Sequence, residues 1–195
     1  MSEQIDTPIN LTADDFLTMD QRLFGDAFRY EMVDGRIVAH AAPCPDHAAI
    51  LVALSASLFN RLRSRKDCRG EAGSGAAPKR QQRNTARIPD AMIRCGEIPR
   101  VVFEIVSPSD LDHRKAWDRR RRDLQDVEGV EEIVELFLDG TAHIYRRQND
   151  IWAYEFLDDL SATLRLPSVG LEIPLGELYA SVDIPPDDLL DSRHE

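Results

Sequence analysis

Two carboxylates in this chain of 195 residues stand where carboxylates need a reason. Asp90 follows Pro89 at the head of an apolar run, and Glu104 lies inside "VVFEIV", where every neighbour is hydrophobic. Burying an ionised carboxylate in such surroundings costs several kcal/mol unless it is paired, hydrogen-bonded or bound to a metal. Read as strand, turn and strand, the segment "RIPDAMIRCGEIPRVVFEIVSPSD" from Arg87 to Asp110 brings both groups to the same end of a sheet. Converging carboxylates repel each other, and a hard divalent cation bound by oxygens, Mg2+ or Mn2+, is the usual remedy. The backbone carbonyl of Ile105 could supply another oxygen. A lysine held against a water on such a metal could orient or deprotonate it for attack on a phosphodiester and steady the developing charge. Lys115 is the only lysine close downstream. The spacing alone leaves a second arrangement open, in which Glu104 pairs with an Arg of the following helix and Asp90 caps a turn.

Two further residues are candidates. Glu31, in "YEMVDG", either assists at the same site or faces solvent as a partner for an Arg. His47 begins a long helix, where a lone histidine is more often a cap or surface residue than a ligand.

The elements that must position these residues read as an alternation of helices and short strands. Thr12 is a possible N-cap for a short helix in "LTADDFLTMDQ", and Asp34-Gly35 forms a tight hairpin turn inside "YEMVDGRIVAHA". "PDHAAILVALSASLFNRLRSR" is a long helix with Ile50, Leu54, Leu58 and Leu62 on one face. A weak strand from Cys68 to Ala72 and a mobile loop precede the two carboxylate strands. A helix follows, with Asp110 or Asp112 near its start and Gly129 beyond its end. Strands in "VEEIVELFL", "AHIYRR" and "IWAYEFL" complete a sheet, and one more short strand and a helical turn at "LGELYA" come after Leu166. The expected class is α/β, a mixed central β-sheet flanked by helices, in a single domain over residues 1–182 with an acidic, flexible tail at 183–195.

The net charge of −11 speaks against a polyanionic partner, but the average hides an asymmetry. From Arg61 to Arg100 there are eleven Lys or Arg against four acids, +7, which leaves −18 on the remainder. A second basic cluster, "HRKAWDRRRR" from His113 to Arg122, follows the Glu104 strand. Two basic runs beside one buried carboxylate suit a polyanion lying across the site, and the alternative is a solvated helix face. Cys44, Cys68 and Cys95 are odd in number, far apart and without a CxxC pair, so neither a disulfide framework nor a zinc site is expected, and a reducing cytoplasm is. No secretory signal appears in "MSEQIDTPINLTADDF", and no apolar run is long enough to span a membrane.

In that order, "YEMVDGRIV", "PDH", "IPDAMI", "VVFEIVSPSD", a Lys-bearing helix and "GVEEIVEL…AHIYRR" resemble the Uma family of restriction-endonuclease-like proteins, common in bacteria and part of the PD-(D/E)XK nuclease superfamily. The likeness runs from about Phe16 to Tyr179. It implies the restriction-endonuclease-like fold, metal carboxylates at Asp90 and Glu104, and an assisting early glutamate at Glu31. The lysine expected two residues after the Glu is Val106 here. In the family the lysine comes from the following helix, where Lys115 matches. The expectation is a Mg2+- or Mn2+-dependent endonuclease acting on nucleic acid, DNA first, as a cytoplasmic homodimer. The alternative is a catalytically inactive nuclease fold that binds nucleic acid or protein.

Overall fold

The structure, a computed structural model, describes residues 3–5, 11–25, 29–78 and 84–184. Lys79, Arg80 and Arg83 of the first basic run and residues 185–195 of the acidic tail lie outside the described residues.

A six-stranded sheet organises the molecule, in the order β4 (Cys68–Ala72), β5 (Ala91–Cys95), β6 (Ile98–Val106), β7 (Glu132–Phe137), β8 (Ala142–Gln148) and β9 (Ile151–Leu157). Every neighbouring pair is antiparallel except β6 and β7, which run parallel. Parallel neighbours need a crossover. Here it carries α3 (Pro108–Leu111) and α4 (Arg114–Gln125), so the basic helix is laid across the sheet directly after the Glu104 strand.

Side chains alternate between the two faces of β6. Val101, Phe103 and Ile105 enter the main apolar core, while Val102 joins a smaller cluster on the other side with Leu124 of α4. The main core is closed by α2 (Pro45–Leu62), whose Ile50, Leu54, Leu58 and Leu62 are all buried, as their spacing predicts. A hairpin of β10 (Thr163–Leu166) and β11 (Leu171–Pro174) and the short α5 (Leu175–Leu178) complete that side.

A separate small sheet, β1 (Glu3–Ile5), β3 (Arg36–His40) and β2 (Arg29–Val33), packs with α1 (Ala13–Thr18) around Phe16, Tyr30, Met32 and Ile37. Its hairpin turns at Asp34 and Gly35, both at positive φ (52° and 75°), and Thr12 caps α1 through a capping box with Asp15.

Three expectations are corrected. The single helix after Glu104 is two, because Ser107 and Asp110 form a capping box that starts a short first helix, and a new helix begins at Arg114. The strand Thr163–Leu166 adds to the expected elements: its alternation is confined to the two buried leucines of "TLRL", too short a pattern to mark a strand in the sequence. Cys68 and Cys95 are joined as a disulfide: the β4–β5 register sets them opposite each other, a relation that separation along the chain hides. Among the described residues no helix is long and apolar enough to cross a membrane.

Candidate functional site

The position of Asp90 follows from strand register. Ala91 pairs with Phe103 across β5 and β6. One more step sets Asp90 opposite Glu104, and another sets Pro89 opposite Ile105. Proline has no N–H to extend the ladder. The N–H of Ile105 donates to Asp90 Oδ2 at 2.8 Å, just beyond the last paired residues of β5 and β6. Its other oxygen accepts from Arg29 at 2.8 Å and faces His47 Nε2 at 3.4 Å. His47 is thus a buried partner of Asp90 and not a surface cap.

Glu104, opposite, is nearly inaccessible at 2 % exposure. Arg120 of α4 grips both its oxygens, at 2.9 and 3.2 Å. The same guanidinium reaches both oxygens of Glu31 at 2.6 Å. Glu31 also accepts from Arg87 at 3.1 Å and from the N–H of Ile88 at 2.8 Å, and lies 3.3 Å from His40. It is fully buried, not solvent-facing. Arg87 then bonds Asp123 of α4 at 2.7 Å, which closes the cluster.

Electrostatics separates the two central carboxylates. Burial works to raise Asp90, but the bond to His47, the charge of Arg29 and the N–H of Ile105 outweigh it and hold the group down at about 2. For Glu104 burial wins: it is pushed up to about 8, against the pull of Arg120 and with the charge of Asp90 adding to the rise. Burial opposes Glu31 as well, yet Arg120, His40 and Arg87 hold it well below the usual carboxylate range. Four buried carboxylates, Glu31, Asp90, Glu104 and Asp123, thus face Arg29, Arg87 and Arg120, with His40 beside Glu31, His47 beside Asp90 and Arg119 4.0 Å from Asp123.

Two buried carboxylates side by side offer the oxygen donors that a hard divalent ion takes. Each Glu104 oxygen takes one hydrogen bond from Arg120 and keeps further lone-pair capacity, whereas Glu31 is saturated by its donors. Among the described residues no three His, Cys, Asp or Glu side chains form a group able to hold a metal. A metal here would rest on Asp90, Glu104 and main-chain oxygen.

Asp90, Glu104 and Glu31 are therefore brought together, and Lys115 stands apart from their hydrogen bonds. It is exposed in the first turn of α4 and makes no ion pair with the described residues. Five residues before Arg120, it sits about 140° around the helix from it. The alternative partner for Glu104, an Arg of the following helix, is the arrangement present. The spacing of Trp117, Arg120 and Leu124 carries the signal for which Arg turns inward, since these positions share one helix face. Arg29 and Arg87 left no such signal, because a strand residue and a loop residue far apart in sequence meet the site only through the tertiary fold.

The basic runs are mostly neutralised. Arg119 pairs with Asp34, Arg120 with Glu31 and Glu104, and Arg121 with Asp118 and Glu135. In the first run Arg61, Arg65, Arg69, Arg87, Arg94 and Arg100 all have acidic partners. The bare basic surface that the charge count suggested contracts, on α4, to Arg114, Lys115 and Arg122, which make no ion pair with the described residues.

A family model described as "Uma2: Putative restriction endonuclease" matches residues 13–176, a span that contains Glu31, Asp90, Glu104 and the whole of α4. The chain belongs to this family. Uma2 membership agrees with the fold. A crystal structure of a "putative nuclease belonging to DUF820" from Anabaena variabilis ATCC 29413 superposes with a TM-score of 0.65 at 18 % identity, covering 87 % of this chain and 98 % of that one. No curated protein matches the chain. Within this Uma2 chain, the two central carboxylates lie on the matched strands β5 and β6 or at their edge, and the arginine that holds Glu104 comes from the matched crossover helix.

Proposed function

We propose that this Uma2 chain is a metal-dependent phosphodiesterase of nuclease type, with nucleic acid, DNA first, as substrate. One observation carries the reading: Asp90, one step past the last paired residues of β5 and β6, and Glu104 are buried side by side, close enough for the charge of one to act on the other, in a chain of a restriction-endonuclease family. Asp90 and Glu104, with the carbonyl of Ile105, would hold Mg2+ or Mn2+. When bound, such an ion acidifies a water and offsets charge at the scissile phosphate. The rest falls to the chain. His47, Arg29 and the N–H of Ile105 keep Asp90 ionised and aimed, so that it enters the site as a fixed negative charge. Glu31 anchors the cluster from β2 through Arg87 and Arg120. Lys115, exposed and in no ion pair with the described residues, is assigned the substrate phosphate together with Arg114 and Arg122.

The second reading, a nuclease fold that binds without cutting, is favoured by the engagement of both Glu104 oxygens by Arg120. Thermal melting with and without Mn2+ separates the two. Mn2+ is expected to raise the melting temperature of wild type by mass action and to leave Asp90→Asn unchanged. Wild type should nick plasmid DNA in Mn2+, and Asp90→Asn should not. An equal Mn2+ shift in wild type and variant would remove Asp90 from the metal site, and no shift in wild type would favour the binding module.

A further inference from the structure

Every nitrogen of the Arg120 guanidinium is in use. Nε donates to Glu104 Oε1, one terminal nitrogen to Glu104 Oε2 and to the carbonyl of Ile88 at 3.0 Å, and the other to the two oxygens of Glu31. An arginine carries its donors in a rigid plane, and here all three nitrogens are committed to oxygen. The side chain is buried, and the helix that carries it is fixed by Leu124 one turn on and by the Arg87–Asp123 pair. A lysine could not replace it, because a point charge with three donors cannot span two carboxylates and a carbonyl.

A divalent ion drawing on the oxygens of Glu104 would bring a second positive centre against this guanidinium, in a space where water does little screening. Only one of them can hold Glu104 fully. The bonds from Arg120 to Glu31 and to Ile88 involve no Glu104 oxygen, so the guanidinium can let go of Glu104 and remain tethered.

We infer that Arg120 is a built-in counter-cation of the carboxylate pair: it competes with a divalent metal for Glu104, and metal enters only as Arg120 gives up its two bonds to that residue. This rests on the proposal that Asp90 and Glu104 hold a metal, and it adds what keeps Glu104 ordered and compensated when none is bound. Arg120 is a positioning residue in this scheme, acting through Glu104.

The test starts with the wild-type protein. The Nε–H of Arg120 should be slow to exchange with solvent in the metal-free protein, by nitrogen-15 NMR, and should shift and lose that protection as Mg2+ is titrated in. Retained protection at saturating Mg2+ would overturn the competition. Mn2+ affinity, measured by calorimetry, gives the second arm. Arg120→Lys, which keeps the charge but cannot span both carboxylates, should bind Mn2+ at least tenfold more tightly than wild type. The double variant Arg120→Met with Glu31→Gln, which removes one charge of each sign, should gain at least as much, and circular dichroism should verify that each variant is folded. Equal or weaker affinity in a folded variant would overturn the inference while leaving the metal centre standing. If neither wild type nor any folded variant binds Mn2+, both the inference and the metal reading fall.

Discussion

The two faces of the central sheet are built on opposite terms. On one, α2 sets Ile50, Leu54, Leu58 and Leu62 in one apolar cluster with Ile93, Val101, Phe103 and Ile105, and polar contact with Asp90 is left to His47 at its start. On the other, α4 buries Leu124 towards its C-terminal end and meets the sheet elsewhere through polar groups: Arg120 on Glu104, and Trp117 and Arg121 on Glu135, the residue in register with Glu104 across the parallel β6–β7 pair. The same alternation in β6 feeds both. Apolar packing has nothing to exchange, since no group in it has a second partner of equal worth. An ion-paired seam does. Replacing buried ion pairs by well-packed hydrophobes is often neutral or stabilising, so such a seam is weak evidence of a stability role. The α2 face is the scaffold, and the α4 face is where the molecule can afford to change partners.

The contrast breaks first at its apolar side. Leu54→Ala, in the centre of α2 and fully buried, should cost about 3 kcal/mol of unfolding free energy through lost transfer energy and a cavity. Urea denaturation checks it, and a loss below about 1 kcal/mol would mean that this face is not the scaffold.

The polar side should show itself through pH. Glu104 is raised in the folded state, so the native protein keeps a proton that the unfolded chain releases. In the absence of metal, stability should therefore fall as pH rises from about 4.5 to about 8, at up to about 1.4 kcal/mol per pH unit. Asp90 has the opposite sign: lowered to about 2, it contributes stability that is present above about 3.8 and lost as pH falls towards 2. Urea midpoints with a chelator present should lose the upper slope in Glu104→Gln and the acid limb in Asp90→Asn. An identical profile for Glu104→Gln and wild type would mean that Arg120 holds Glu104 ionised throughout.

The smallest effect sharpens the comparison at its edge. Arg122→Gln, on the solvent side of α4, should change stability by less than about 0.5 kcal/mol. The same variant should weaken nucleic-acid binding and lower its salt dependence by roughly one unit of slope. An unchanged slope would leave Arg114, Lys115 and Arg122 as a solvated surface.

Local chemistry was legible in the sequence, and distant chemistry was not. The Asp34-Gly35 turn, the Thr12 cap, the face of α2 and the pairing of Asp90 with Glu104 rest on periodicity, turn residues and short strand register. Each is written within a few tens of residues. The disulfide, the saturation of Glu31 and the company of Arg29 and Arg87 require knowing which strand lies beside which, and composition says nothing of that. Charge counting falls short for the same reason: the excess of arginine between Arg61 and Arg100 is real, but Arg61, Arg87 and Arg100 meet acids from other segments, while Arg65, Arg69 and Arg94 meet Asp67 and Glu71.

The saturated fork of Arg120 also sets a pace. Dropping any single bond strands a buried donor or acceptor at about 1–3 kcal/mol. The two bonds to Glu104 are therefore expected to break together and not to loosen by degrees. Whatever must replace them waits for that event, whose frequency belongs to the folded chain and not to the arriving ion. Raising the concentration of the ion would then speed its uptake only up to a ceiling, the rate at which α4 lets one side chain turn away.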